Sequence, residues 1–416
     1  MKWNIIAAVD TKFDRRNAIL MEKKRFDKWN ATAAYMLLHF PTWGFYAVIT
    51  GFSTNVLYDF GFTDSQVSLL LGISTAVAFV LQLGLAELVN RFRIMRVWYV
   101  LVGLGLAMLM CNIVVGLPGA PVWAAIAAFG IACMIVQIVP SFSNAIGMDA
   151  IKRGSPTDYS MARGVGSMGY CSMSFVTGRM VSALGSAMVP VLGGLCALML
   201  IAGTVWYHFA GERDLKELAP EVEQRKRSGS FLGQYPRFAV FLAASVVLLI
   251  GHNLPSNFMY QIMLVKNGGA AEQGLANSIT ALAEIPVMFL FPLLMRRVRC
   301  DKWLRFSCIF FAVKALGLFL ADDPGAVYAA QATQMLGYGL YAISSVNYAE
   351  MVVGEGESIR AQSYLMATNT VSTLIAVSLG GVICQYFGAQ IMVLIALAAV
   401  SLGGITIILT AQKTKQ

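Results

Sequence analysis

Apolar stretches of about 20 residues recur along this chain from residue 31 to residue 411, and each is long enough to cross a hydrocarbon core of roughly 30 Å as a helix. Inside a bilayer no water satisfies stray backbone groups, so only helices and closed barrels span it. A barrel would show short segments of alternating hydrophobicity, and these runs do not alternate. The chain therefore reads as an all-α membrane protein. Its composition agrees: 57% of its 416 residues are hydrophobic and 13% charged, a balance foreign to ordinary water-soluble domains.

Polar, Gly and Pro breaks divide the apolar runs into twelve predicted transmembrane helices, near 31–57, 66–89, 97–118, 121–147, 159–185, 187–209, 237–264, 274–295, 303–321, 325–351, 360–384 and 386–411. Nearly all Lys and Arg fall at the termini, in the even-numbered loops or at the adjoining helix ends; Lys266, Arg163, Arg179 and Lys314 are the exceptions. The positive-inside rule then puts both termini in the cytoplasm and the chain, multi-pass, in a cell (inner or plasma) membrane. Residues 1–30 read as a basic arm on the cytoplasmic membrane surface, without the compact apolar run of a cleaved signal peptide. The longest break, 210–236, carries Arg225-Lys226-Arg227 and separates a six-helix bundle at 31–209 from another at 237–411, with a cytoplasmic tail at 412–416. After helix 2, Leu88, Arg91, Arg93 and Arg96 recur at an offset of 206 residues as Leu294, Arg297, Arg299 and Lys302 after helix 8. Two pseudo-symmetric six-helix bundles follow from such a duplicated unit.

An ionised side chain at mid-bilayer costs about 2.5–3.5 kcal/mol on insertion scales, so it faces a cavity or a partner. Glu284 and Lys314 lie at matched depth on helices 8 and 9, each about 16 Å from the inner surface at 1.5 Å per residue. An ion pair between them is expected, either a permanent structural pair or a proton-coupling device whose Glu284 changes charge within the membrane. Arg179 is 16 residues beyond Arg163, about 24 Å deeper and on another face, where snorkelling is its better reading.

Uncharged polar residues form stripes at helical spacing. Helix 1 carries His39, Thr42, Tyr46, Thr50 and Ser53; helix 4 carries Gln137, Ser141 and Asn144; helix 7 carries His252, Asn253, Ser256, Asn257, Tyr260 and Gln261; helix 10 carries Gln331, Gln334, Tyr338, Tyr341, Ser345 and Tyr348. Hydroxyls, amides and aromatic faces with few charges suit a neutral, hydroxyl-rich solute, while interhelical hydrogen bonding is the bland alternative. Pro41, Pro255 and Pro286 interrupt helices 1, 7 and 8 and predict kinks.

Twelve helices in two halves, with basic loops after helices 2 and 8, resemble the major facilitator superfamily, whose members bind substrate between halves that rock to expose it alternately. In that fold helices 1, 4, 7 and 10 line the cavity, which is where the polar stripes fall. Asn90 stands where the superfamily's loop signature has Asp. The segment Arg163-Gly-Val-Gly-Ser-Met-Gly-Tyr170 resembles the lactose permease group of oligosaccharide and nucleoside proton symporters. That resemblance implies sugar contacts for Arg163 and Tyr170, and the planar fork of Arg163 suits hydroxyls or a carboxylate. It also matches Glu284 to the group's buried acid in helix 8 and Lys314 to its buried Arg in helix 9. The chain departs from the group in helix 10, where Gln334-Met-Leu-Gly337 has neither His nor Glu, and in helix 4, where Asn144 replaces a carboxylate.

The resulting expectation is a secondary transporter taking up a small polar solute, a sugar or nucleoside, by alternating access with proton symport. The substrate-binding set is Arg163, Tyr170, His39, Tyr46, Gln137, Asn144, Asn253, Asn257, Gln331, Gln334 and Tyr338, and the proton-coupling pair is Glu284 with Lys314. Its partners are the solute, a co-transported proton and the lipid bilayer, and one chain supplies both halves of a cavity, so a monomer suffices. An exporter of amphipathic compounds and a non-translocating sensor remain as alternatives. Gly164-x-Gly166-x-x-Gly169 matches a dinucleotide fingerprint in letters only, since it follows no strand; its glycines suit close helix packing. No H-E-x-x-H, P-loop or G-x-S-x-G is present, so the sequence predicts no enzyme, cofactor or metal site, and loop cations explain the net charge of +9 without nucleic acid. The seven cysteines include no C-x-x-C and suit packing.

Overall fold

A computed structural model describes residues 27–91, 96–211, 231–353 and 357–414. Most of the expected basic arm and inter-bundle linker, and the loop bearing Arg93, lie outside the described residues. Those described form twelve antiparallel helical passages. The first, α1, runs over 27–45, widens through a π-helical turn at Tyr46–Thr50 and resumes at Ser53–Asp59. Then come α2 (Asp64–Arg91), α3 (Val97–Gly116), α4 (Val122–Lys152), α5 (Tyr159–Leu184) and α6 (Met188–Gly211). After a short helix at Phe231–Gln234, α7 runs over Pro236–Asn257 and continues at Met259–Val265. Next are α8 (Ala270–Met295), α9 (Cys300–Leu320), a divided α10 (Pro324–Ala332, a 3-10 turn at Thr333–Met335, then Tyr338–Val352), α11 (Ser358–Phe387) and α12 (Ala389–Thr410). Eight of these helices are long and apolar enough to cross a membrane, and large apolar side chains such as Leu69, Leu106, Leu198, Leu402 and Leu409 point outward, as lipid requires and water penalises. All seven cysteines are unpaired and six are buried.

The buried core divides along the sequence. One apolar cluster is built almost wholly from residues 34–207, and two others from residues 231–411. The breaks in α1 and α7 repeat as well. Phe52 (φ −112°, ψ 20°) interrupts α1 and Phe258 (φ −116°, ψ 32°) interrupts α7, and each is followed by a seven-residue helix. Their separation is the same 206-residue offset that relates the basic loops. Of the prolines expected to kink, Pro255 lies three residues before the α7 break, while α8 continues past Pro286.

The halves meet at one end. Gly178 of α5 and Gly274 of α8 face each other so closely that a Cβ on Gly178 would stand 2.6 Å from the Ala270 carbonyl oxygen and 2.9 Å from Gly274 Cα. Small residues permit that backbone approach in a membrane, where packing rather than the hydrophobic effect joins helices. Among the described residues, hydrogen bonds between the halves all lie at this end: Gln261 donates to Thr54 and Asp64, Gln273 to the Gly51 carbonyl, Ser278 to the Cys171 carbonyl, the Ser65 amide to Gln385 and the Gly381 amide to Ser68. Tyr58 adds a bond to Asp64 within the first half.

Candidate functional site

Two constellations face the seam between the halves. In the first half, Asp158 caps α5 by accepting from the Met161 amide at 3.1 Å, which satisfies a donor that a helix N-terminus otherwise leaves unpaired. The helix so started carries Arg163 in its second turn. The guanidinium lies over the indole of Trp43, its Cζ 4.1 Å from the ring centroid, and Nη1 donates to Ser167 at 3.2 Å. Cation–π attraction holds the guanidinium over the ring. Gly166 and Gly169 allow α5 to approach α1 here: a Cβ on Gly166 would stand 2.4 Å from Trp43, and one on Gly169 2.3 Å from the Phe40 carbonyl oxygen. Trp43 stacks on Tyr46 at 5.9 Å between centroids, and the Tyr46 hydroxyl donates to Gln137 Oε1 on α4.

In the second half the expected ion pair is not direct. Gln334 of α10 stands between its members: its Nε2 donates to Glu284 Oε1 at 2.8 Å, and its Oε1 accepts from Lys314 Nζ at 2.6 Å. This orientation of the amide is the one its partners demand, because an ammonium only donates and a carboxylate only accepts. Helix α9 begins at Cys300, earlier than the apolar run suggests. Lys314 therefore sits about 21 Å along its helix from that end, against about 16 Å for Glu284 on α8, and an amide's width closes the offset. Gln334 reaches both groups from the 3-10 turn that divides α10; next to it, Gly337 (φ −86°, ψ −102°) separates the helical segments. Irregular turns of this kind inside helices recur at functional positions. Gly339 lets α10 lie against α8, its Cβ position 3.4 Å from Glu284 Cα.

The constellations share a field. Glu284 feels the charges of both Arg163 and Lys314, and Tyr170 and Tyr338 feel that of Glu284. Tyr338 stacks on His252 at 4.6 Å and 9°. The structure thus gathers Arg163, Tyr170, Tyr46, Gln137, Gln334, Tyr338, Glu284 and Lys314 about the seam.

Other candidates sit elsewhere. His39 is fully buried between Tyr35 and Tyr159, with centroid distances of 4.5 and 6.0 Å, and Asn144 accepts from Tyr159 at 3.3 Å. Asn253 turns to α11, donating to Ser372 and Thr373, and Asn257 donates back to the Asn253 carbonyl. Gln331 is buried, with Nε2 3.9 Å from Met259 Sδ. Arg179 is exposed, over Phe175. Trp43 escaped the polar-stripe reading because it counts as aromatic, although it lies four residues after His39 and three before Tyr46, on the same helical face.

Polar and charged residues that collect at a seam between two helical halves fit a membrane transporter of the major facilitator type. The chain belongs to the MFS_1 like family, which it matches over residues 35–395. The structure superposes on that of the nucleoside transporter NupG with a TM-score of 0.70 at 14% identity, covering 92% of this chain and 98% of that one. It superposes on a bacterial homologue of the iron transporter ferroportin, in its inward-facing state, with a TM-score of 0.69 at 14% identity, covering 93% and 99%. A peptide transporter POT gives 0.67 at 12% identity, covering 90% and 93%. No curated protein matches the chain in sequence.

Proposed function

We propose that this transporter takes up a small polar solute, a sugar or nucleoside, by alternating access, and that a proton carried on Glu284 drives it. The observation that carries this reading is the chain of hydrogen bonds from Glu284 through Gln334 to Lys314 across the divided α10. With Glu284 ionised, its negative charge and the positive charge of Lys314 balance through the amide, and Arg163 is the remaining cation. Protonation of Glu284 removes the only anion of the three and leaves two like charges facing one seam, which favours a conformation that separates or hydrates them. The solute lies between Arg163 on Trp43 and the Gln334 side of α10, with Tyr46, Gln137, Tyr170 and Tyr338 offering hydroxyls, an amide and ring faces.

The rocking units in this reading are residues 31–209 and 237–411, joined by the cytoplasmic linker 210–236. Both termini lie in the cytoplasm of a cell that carries the protein in its plasma or inner membrane, by the distribution of Lys and Arg. The contacts that join the halves then close the outer end, so the conformation faces inward. One chain supplies both sides of the cavity and works as a monomer.

The test is uptake of labelled sugars and nucleosides into proteoliposomes with and without an inward proton gradient, comparing wild type with Glu284→Gln. Accumulation driven by the gradient, at least tenfold reduced in the variant while solute exchange persists, is the expected result. A variant that accumulates as well as wild type removes Glu284 from coupling. If no solute in the panel accumulates at all, the coupling assignment is wrong and export or passive facilitation moves ahead of driven uptake.

A further inference from the structure

Away from the seam, at the end of the second half where α9 begins and α12 ends, a pocket of about 680 Å³ is lined by Arg237 and Val240 of α7, Arg305 of α9, Leu409 and Thr410 of α12, and the tail residues that follow. Its cations are Arg237, Arg305 and Lys413. The floor is built. Arg305 Nη2 donates to the Ala411 carbonyl at 2.6 Å, the Gln412 amide donates to the Tyr348 hydroxyl at 2.8 Å, and the Thr414 amide and hydroxyl both donate to Asp301 Oδ1 at 3.2 and 3.0 Å. The tail is thereby strapped across the bundle end with its residue 413 in the pocket wall.

The acid bonded to this floor is already engaged. Asp301 is fully buried and holds a bidentate pair with Arg299, at 2.9 Å for each bond, besides its bonds to Thr414. Arg305 Nε, by contrast, is buried with no hydrogen-bond partner, and no ion pair of Arg237, Arg305 or Lys413 is made among the described residues. A guanidinium offers donors in a fixed fork that matches phosphate oxygens. The lining is also two-sided: Leu409 and Val240 present 77% and 43% of their surfaces outward, on the lipid-facing flank beside the cations. Polar cations above and exposed aliphatic side chains below reproduce the boundary between headgroup and acyl chain.

From this arrangement we propose that the pocket is a binding site for an anionic phospholipid, whose phosphate is held by Arg305, Arg237 and Lys413 and whose first acyl carbons lie on Leu409 and Val240. Phosphate is the recognised group, and a soluble phosphate compound would present the same oxygens; the aliphatic flank selects the lipid. Basic pockets between membrane helices are suited to such headgroups. Bound there, the lipid links α7, α9 and the C-terminal tail within the second half, independently of how the solute is coupled.

The experiment is native mass spectrometry of the full-length protein released from bilayers containing equal phosphatidylglycerol and phosphatidylcholine. The comparison is wild type against the triple variant Arg237→Gln, Arg305→Gln, Lys413→Gln, and against a charge-matched control, Arg296→Gln, Arg297→Gln, Lys302→Gln, in the α8–α9 loop. Wild type and control are expected to retain phosphatidylglycerol preferentially, and the triple variant to lose at least tenfold of that preference. Equal retention by the triple variant, or an equal loss in the control, overturns the proposal, the latter by showing only general surface attraction. Displacement of the lipid by millimolar inorganic phosphate also overturns it, in favour of a soluble anion. Should the triple variant not fold, Lys413→Glu, an exposed change in the tail, is read by the same criterion, with a several-fold loss expected and no loss counting against the site.

Discussion

Two cations face the same seam and are held in opposite ways. Arg163 rests on the face of Trp43 with one hydroxyl, Ser167, as its hydrogen-bond partner. Lys314 is 5% exposed and joined through Gln334 to a carboxylate. An aromatic face steadies a guanidinium without using its donors, so most of the Arg163 fork makes no hydrogen bond among the described residues. A buried ammonium tied through an amide to an acid has its charge balanced in place, and any change at the acid unsettles it. In the proposed reading the first half offers a ligand contact, and the second holds a set of charges that responds to protonation.

The largest expected effect tests the second arrangement. Gln334→Leu keeps the volume of α10 but leaves both Glu284 and Lys314 without a partner, at a cost of about 3 kcal/mol. Thermal unfolding in detergent should register that cost, and an unchanged midpoint would show that the amide bridge contributes nothing. Next in size, Arg163→Lys retains the charge and loses the planar fork and its stacking. A rise of roughly tenfold in KM, about 1.4 kcal/mol, with little change in stability is expected. Equal KM values for variant and wild type would place the solute away from Arg163. The smallest effect belongs to Trp43→Leu, which removes the π face beneath the guanidinium and raises KM about fivefold for about 1 kcal/mol. A larger effect here than for Arg163→Lys would invert the assignment and make Trp43 itself the principal solute contact.

The membrane-spanning helices were legible because a bilayer imposes one requirement on every span, and apolar length answers it locally. The repeat was legible for a related reason. Duplicated segments keep the residues that set backbone turns, so the offset seen between basic loops returns as Phe52 and Phe258 at equivalent breaks. Polar stripes marked helices 1, 4, 7 and 10, yet periodicity assigns a face without saying what that face meets. His39 and Tyr46 lie on one stripe; Tyr46 reaches Gln137, while His39 is packed between Tyr35 and Tyr159. Trp43 was overlooked because an aromatic ring in a membrane helix carries no polar signal of its own.

By itself the sequence determined what depends on local chemistry: which segments enter a membrane, where cations gather, which residues are too costly at mid-bilayer to lack a role. Only the tertiary structure decided which of those costly residues satisfy one another. Glu284 and Lys314 are 30 positions apart on neighbouring helices, and whether they touch or need Gln334 between them depends on where α9 starts and how α10 breaks. The same holds for Arg163 over Trp43 and for the tail pinned to Asp301. Each is a contact between distant parts of the chain, and its energy is set by ångström-scale offsets between packed helices that no spacing along one helix encodes.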